Sequence, residues 1–255
     1  MPTRLVAFDL DDTLTPSKSP ISPEMADALS ELLAVVPVCI ISGGQLEQFT
    51  SQVTERLDLD DDARTRLHLM PTCGTRYYRY DDDGELGQVY AHDLTGEERA
   101  EATAALEREA RRLGLWEEET WGPVLEDRGS QITFSALGQR APLAAKRAWD
   151  PTGEKKEQLR AAVAPILPEL EVRSGGSTSV DITRRGVDKA YGMTRLAEHT
   201  GIDLADMLFV GDRLDEGGND YPVKALGVPC VEVAGAEETA GVVRGLIADL
   251  VPAAR

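Results

Sequence analysis

An apolar run, Leu5-Val6-Ala7-Phe8, passes without a break into Asp9-Leu10-Asp11-Asp12-Thr13-Leu14-Thr15. Four consecutive apolar residues put hydrophobic side chains on both faces, the pattern of a strand buried inside a parallel sheet. Acidic residues at its end fall at the carboxyl edge of that sheet, where open α/β folds place their ligands. Two carboxylates one residue apart, with a hydroxyl two positions further, are costly to gather unless a cation or a reaction uses them. The plain alternative is an acidic turn, since Asp and Thr are ordinary turn residues. A calcium loop fails by count. Starting from Asp9, its fifth, sixth and twelfth positions are Thr13, Leu14 and Pro20, where the loop needs an oxygen ligand, a Gly and a Glu.

The alternation of strands and helices continues. Ser22-Pro23-Glu24 has a cap residue followed by Pro at the first helical position, and Met25, Ala28, Leu29, Leu32 and Leu33 supply an apolar stripe. A second buried strand, Val35 to Ile41, ends in Ser42-Gly43-Gly44, and a helix from about Gln45 to Arg56 follows. A third strand, Arg66 to Met70, leads to Cys73-Gly74. The pattern then changes to a β-hairpin over residues 75–91 with its turn at Asp81-Asp82-Asp83-Gly84, a charged helix over 95–113, strands at 131–136 and near 171–183, and a helix over 151–163. From Gly186 the alternation resumes with a helix from Lys189 to His199, a strand Met207 to Val210 ending in Gly211-Asp212, a loop to Asp220, a helix, and a last strand at 228–233. The predicted fold is α/β: a Rossmann-like, doubly wound parallel sheet core of residues 1–82 and 186–255, interrupted by an inserted α+β cap of residues 83–185.

At 255 residues, 42% hydrophobic and without a long apolar stretch, the chain has the make-up of a soluble globular protein with a sizeable core. No export signal precedes the first strand, and Cys39, Cys73 and Cys230 are too scattered for a Cys-x-x-Cys site, so a cytoplasmic location is expected. A net charge of −18 with no basic stripe argues against nucleic acid or an anionic membrane as partner. It also means that any phosphate handled here must be neutralised locally.

Four strand ends or helix starts carry polar groups that can converge: Asp9 and Asp11; Ser42 with Gly43 and Gly44; Lys189; and Gly211-Asp212 with Gly217-Gly218-Asn219-Asp220. Each has a plainer reading by itself. Ser42 suits a helix cap, Lys189 a solvated helix residue, and Asp212 a turn. Taken in order, with their spacing and secondary-structure context, they resemble the four motifs of the haloacid dehalogenase-like superfamily across the whole chain. The resemblance implies a phosphotransferase in which Asp9 is the nucleophile and becomes a phosphoaspartate. Asp11 would be general acid and then base, and would also ligate Mg²⁺ through its backbone carbonyl. Asp9 and Asp212 would be the metal carboxylates, with Asn219 and Asp220 in or just outside the metal shell. Ser42, Gly43, Gly44 and Lys189 would hold the transferring phosphoryl group. Such chemistry needs these residue types, because a carboxylate attacking a phosphate requires cations between the two anions.

The finer resemblance is to phosphomannomutases of the eukaryotic type and their bacterial hydrolase relatives. It rests on the Gly211–Asp220 loop, on Ser174-Gly175-Gly176 through Ser179-Val180-Asp181 to Asp188-Lys189, and on the segment Arg128 to Gln139. It implies that Ser179 and Asp181 contact a sugar phosphate and that Arg128 holds a distal phosphate. Lys18, Gln139 and Lys146 stand where the mutases carry further arginines, and Arg140 lies one residue off. Lysine keeps the charge but not the bidentate fork, and Gln139 carries no charge. The expected activity is therefore hydrolysis of a small phosphate ester, a hexose phosphate first, with phosphomannomutase as the alternative and a homodimer through the cap. Receiver domains share the acidic residues, Mg²⁺, Ser/Thr and Lys. They place the acceptor Asp after an interior strand and have no insertion, unlike this chain.

Overall fold

In the computed structural model, residues 3–251 are described. The chain divides into two compact units, Met1–Ala91 with Val187–Arg255, and His92–Gly186. The first holds β1 (Leu5–Phe8), α1 (Pro23–Leu33), β2 (Val38–Ile41), α2 (Leu46–Gln52), α3 (Asp61–Thr65), β3 (Leu67–Met70), a one-turn segment α4 (Pro71–Gly74), β4 (Arg76–Tyr80) and β5 (Leu86–Ala91). The second holds α5 (Gly96–Arg112), β6 (Leu125–Asp127), β7 (Gln131–Ser135), α6 (Leu143–Trp149), α7 (Glu154–Val163), β8 (Leu170–Ser174) and β9 (Ser179–Arg184). The chain then returns to the first unit with α8 (Lys189–Thr200), β10 (Met207–Gly211), α9 (Tyr221–Ala225), β11 (Cys230–Glu232) and α10 (Ala236–Leu250).

The first unit is built on a seven-stranded sheet in the order β11-β10-β1-β2-β3-β4-β5. Strands β11 to β3 are parallel, and β4 and β5 add an antiparallel edge. Alternation along β1 divides its side chains between two cores. Val6 and Phe8 pack with Met25, Leu29 and Leu32 of α1 and Val243 of α10, while Leu5 and Ala7 pack with Met193 and Leu196 of α8. The chain winds outward from β1 through β2 in one direction and returns through β10 in the other. The junction of β1 and β10 is therefore the switch point of the sheet, the place where such folds bind ligands.

The structure revises the expected unit boundary. The hairpin of residues 76–91 stays with the first unit because β4 pairs with β3 and carries β5 with it, so the second unit begins at His92 rather than at residue 83. The helix expected from Gln45 to Arg56 is also shorter. It ends at Gln52, Val53 leaves the helical region, and a single 3-10 turn, Thr54–Arg56, follows.

In the second unit a four-stranded antiparallel sheet, β6-β7-β9-β8, buries Ile132, Phe134, Val180 and Ile182 against Leu106 of α5 and Leu159 and Val163 of α7. The alternate positions, Gln131, Thr133 and Ser135 on β7 with Ser179, Asp181 and Thr183 on β9, are polar, and Thr133 pairs with Asp181 and Ser135 with Ser179. No helix among the described residues is long and apolar enough to cross a membrane.

One backbone contact fixes how deeply α8 sits in the first unit. Thr72, Cys73 and Gly74 all have positive φ, and Gly192, one turn into α8, lies against them. A Cβ at Gly192 would overlap the Ile41 side chain and stand 2.8 Å from the Cys73 carbonyl oxygen. Gly192→Ala is therefore expected to cost about 1–3 kcal/mol by overpacking, read as a lower urea midpoint. An unchanged midpoint would mean that α8 is not set by this contact.

Candidate active site

The site begins with the parallel pairing of β1 and β10, in which Phe8 lies opposite Val210 and the Asp9 amide donates to the Val210 carbonyl at 3.0 Å. That register places Asp9 at the end of one central strand beside Asp212, the residue after the other. Asp9 is buried, with 3% of its surface exposed, and Asp220 is wholly buried. Lys189, the first residue of α8, reaches between them. Its Nζ donates to Asp9 Oδ1 and to Asp220 Oδ1, the latter at 2.5 Å. Asp188 is the N-cap of α8, its carboxylate accepting from the Tyr191 amide, so the helix starts where Lys189 is needed. Thr13 Oγ1 donates to Asp9 Oδ2 at 3.4 Å, and the Arg213 amide donates to Asp220 Oδ2 at 3.1 Å.

Carboxylate oxygens of Asp9, Asp212 and Asp220 all lie within 4.8 Å of one another. With all three ionised and Lys189 protonated, the cluster carries −3 + 1 = −2 charges. Burial pushes the Asp9 carboxyl up to about 7, Lys189 opposing and Asp220 adding to it. Burial, and then Asp220, also raises Asp212. Burial works against the Lys189 ammonium, but Asp9 and Asp220 overcome it and hold its pKa above the ordinary value. A set of hard oxygen donors short of two positive charges suits a divalent cation such as Mg²⁺. The residues present therefore fit the expected metal, with Asp220 inside the carboxylate cluster and Asn219 exposed beside it.

The other predicted residues fall into two groups. Ser42 is buried at the end of β2. Its Oγ accepts from the Gly44 amide at 3.2 Å, while α2 begins after Gln45 without a side-chain cap. Gly43 and Gly44 complete the turn, which is tied to the left-handed segment by bonds from the Cys73 amide to the Ser42 carbonyl and from the Thr72 amide to the Gly44 carbonyl, both at 2.9 Å. The Asp11 carboxylate is half-buried and accepts from the Lys18 amide at 2.7 Å and from Gln48 Nε2 at 2.8 Å. The Lys18 residue itself is exposed, and its backbone is what meets Asp11.

The remaining candidates lie in the second unit. Asp181 Oδ1 accepts from Thr133 Oγ1 at 2.7 Å and from Gln131 Nε2 at 3.0 Å. Ser179 Oγ lies 3.4 Å from Ser135 Oγ, to which Gln139 Nε2 donates at 2.7 Å, and Lys146 Nζ donates to the Gln139 carbonyl at 2.9 Å. Arg128 pairs with Glu126 at 2.8 Å. Arg140 is exposed, with its guanidinium against Gly122. Three residues that sequence reasoning missed, Gln48, Gln131 and Thr133, meet predicted ones directly. Gln131 and Thr133 could have been found from the period-2 polar pattern of β7, whereas Gln48 carries no sequence signal.

A family model of haloacid dehalogenase-like hydrolases matches residues 141–222. The phosphomannomutase of Spinacia oleracea is 27% identical over 238 residues, covering 88% of this chain and 87% of that one. Among solved structures, an IMP-nucleotidase mutant from Plasmodium falciparum superimposes with a TM-score of 0.72 at 15% identity, over 98% of this chain and 68% of that one. A haloacid dehalogenase-like hydrolase from Bacteroides thetaiotaomicron gives 0.64 at 16% identity, over 95% and 99% of the two chains. A doubly wound sheet with a lysine-bridged carboxylate cluster at its switch point, together with these matches, makes the chain similar to the haloacid dehalogenase-like hydrolases and, over most of its length, to phosphomannomutases. The phosphomannomutase of Schizosaccharomyces pombe is likewise 28% identical over 236 residues, covering 87% of this chain and 85% of that one.

The raised Asp9 carboxyl has a consequence for stability. A group whose folded pKa exceeds its ordinary value contributes most below that ordinary value, and the contribution is lost as pH rises through the folded one, here about 7. Metal-free protein is therefore expected to lose thermal stability between about pH 4 and 7 more steeply than Asp9→Asn, and millimolar Mg²⁺ to restore much of the loss. Parallel pH curves for the two proteins would refute the charge accounting.

Proposed function

We propose that this protein is a Mg²⁺-dependent phosphotransferase that works through an aspartyl phosphate on Asp9, and that its net reaction is hydrolysis of a small phosphate ester, a hexose phosphate first. The observation that carries the reading is the cluster of buried Asp9 and Asp220 with half-buried Asp212, Lys189 bridging the two buried acids, at the switch point of the sheet. Asp9 would attack phosphorus while Asp11 gives its proton to the leaving ester oxygen. Water would then attack the phosphoaspartate and give a proton back to Asp11, releasing inorganic phosphate and restoring both carboxyl groups. Lys189, Ser42 and the Gly43–Gly44 backbone would hold the phosphoryl oxygens. Asp9, Asp212 and Asp220 would hold Mg²⁺, which when bound offsets the charge between nucleophile and phosphate.

The relatives of printed function favour a second reading, phosphomannomutase. A mutase must keep a bisphosphorylated sugar while it turns over in the site. In this chain Gln139 and Lys146 stand in place of arginines and are bonded to each other and, through Gln139, to Ser135. A lost charge-assisted hydrogen bond costs about 1.5–3 kcal/mol, or roughly ten- to hundredfold in affinity. Hydrolysis, which needs one round of binding, tolerates this better. The cap unit would select the substrate and would also be the surface of any homodimer.

Asp9→Asn is expected to keep the fold and abolish turnover, and EDTA to silence the enzyme until Mg²⁺ is returned. Activity within tenfold of wild type in Asp9→Asn, or full activity in chelator, would sink the assignment. To separate the two reactions, phosphate release from hexose phosphates and interconversion of mannose 1-phosphate and mannose 6-phosphate are followed together with glucose 1,6-bisphosphate present. Hydrolysis is expected to be faster, and mutase turnover well above phosphate release would reverse the order of the two readings.

A further inference from the structure

Asp11 is asked to hand a proton to a leaving oxygen and later take one from water, so its carboxyl plane must be aimed at both atoms in turn. The motif loop alone does not aim it. One of its oxygens accepts from the Lys18 amide, and the other from Gln48, a residue 37 positions away on α2. Gln48 is itself held. Its Nε2 also meets Gln52 Oε1 at 3.4 Å, and the buried Gln52 receives the Ile21 amide on its backbone carbonyl at 2.9 Å. That bond ties α2 to the segment that follows the motif loop. A second, independent feature points the same way. A Cβ at residue 44 would overlap the Gln48 carboxamide, so Gly44 is what leaves room for this side chain to lie across the turn toward Asp11.

We propose that Gln48 is a positioning residue for Asp11, coupling the helix after β2 to the general acid of the motif loop; the inference rests on the acid–base role proposed above for Asp11. The amide N–H can donate only to a lone pair, and each carboxyl oxygen has two. Gln48 and the Lys18 amide thus fix the plane of the group while leaving lone pairs on both oxygens to carry the transferred proton. Removing the donor frees the carboxyl to rotate, and proton delivery suffers most where the leaving group needs it most.

The experiment uses the full chain with Mg²⁺ and measures single-turnover release of the leaving group from two esters, p-nitrophenyl phosphate and a hexose 6-phosphate. Nitrophenolate leaves without a proton, whereas a sugar alkoxide does not. Gln48→Met, of equal length without a donor, and Gln48→Glu, of equal shape with an acceptor instead, are both expected to slow the sugar ester about tenfold or more. The aryl ester should change by less than about threefold, with KM for both esters nearly unmoved. Asp11→Asn is run alongside and should show the same selectivity more strongly. Equal losses on the two esters, or no loss, in both Gln48 variants while Asp11→Asn is selective would overturn the positioning role alone. A non-selective Asp11→Asn would overturn the acid–base reading and this inference with it.

Discussion

A single ammonium group, that of Lys189, sits between two buried carboxylates, and much of the first unit can be understood as the means of putting it there. Asp9 comes from the end of β1, Asp220 from the loop after β10, and Lys189 from the first turn of α8, the first helix after the second unit in the chain. None of the three could be buried alone, because an isolated charge in a dry interior costs several kcal/mol. The parallel register of β1 and β10 brings the two acids together. The Asp188 cap sets where α8 starts, and the approach of Gly192 to the left-handed Thr72–Gly74 segment sets how deep it lies. The same segment is bonded to the Ser42–Gly44 turn, so the placement of the lysine and of that turn depend on one piece of backbone.

The arrangement is deliberately short of positive charge. Three clustered carboxylates and one lysine leave a site that is uncomfortable by itself and comfortable with a dication. The chain as a whole carries a net charge of −18. On the polar sheet face of the second unit, Arg173 of β8 stands opposite Asp181 of β9. Lys146 is engaged by a backbone carbonyl, Arg128 by Glu126, and the central position is the uncharged Gln139.

The core motifs were legible from the chain because each lies at a strand end or helix start. An apolar run followed by polar residues needs no knowledge of distant partners. Asp9, Ser42, Lys189 and Asp212 could each be located this way, as could the Ser22 cap with Pro23. Elements without such punctuation were harder to see. The edge strand β6 is three residues long, α3 and α6 are short, and α10 owes its place to Thr239, Ala240 and Val243 packing into a core assembled from elsewhere.

The sequence by itself determined the fold class, the order of the motifs and the charge deficit, because periodicity, capping and composition are local or summed properties. Only the tertiary structure decided that Asp220 belongs inside the carboxylate cluster rather than at its edge, that the hairpin of residues 76–91 extends the core sheet, and that Gln48 reaches Asp11. The first and last join residues far apart in the chain, Asp220 with Asp9 and Gln48 with Asp11, and the hairpin joins the sheet through the pairing of β4 with β3. Their existence depends on strand register, on how deeply a helix sits and on the space a missing Cβ leaves, none of which is written in any one segment.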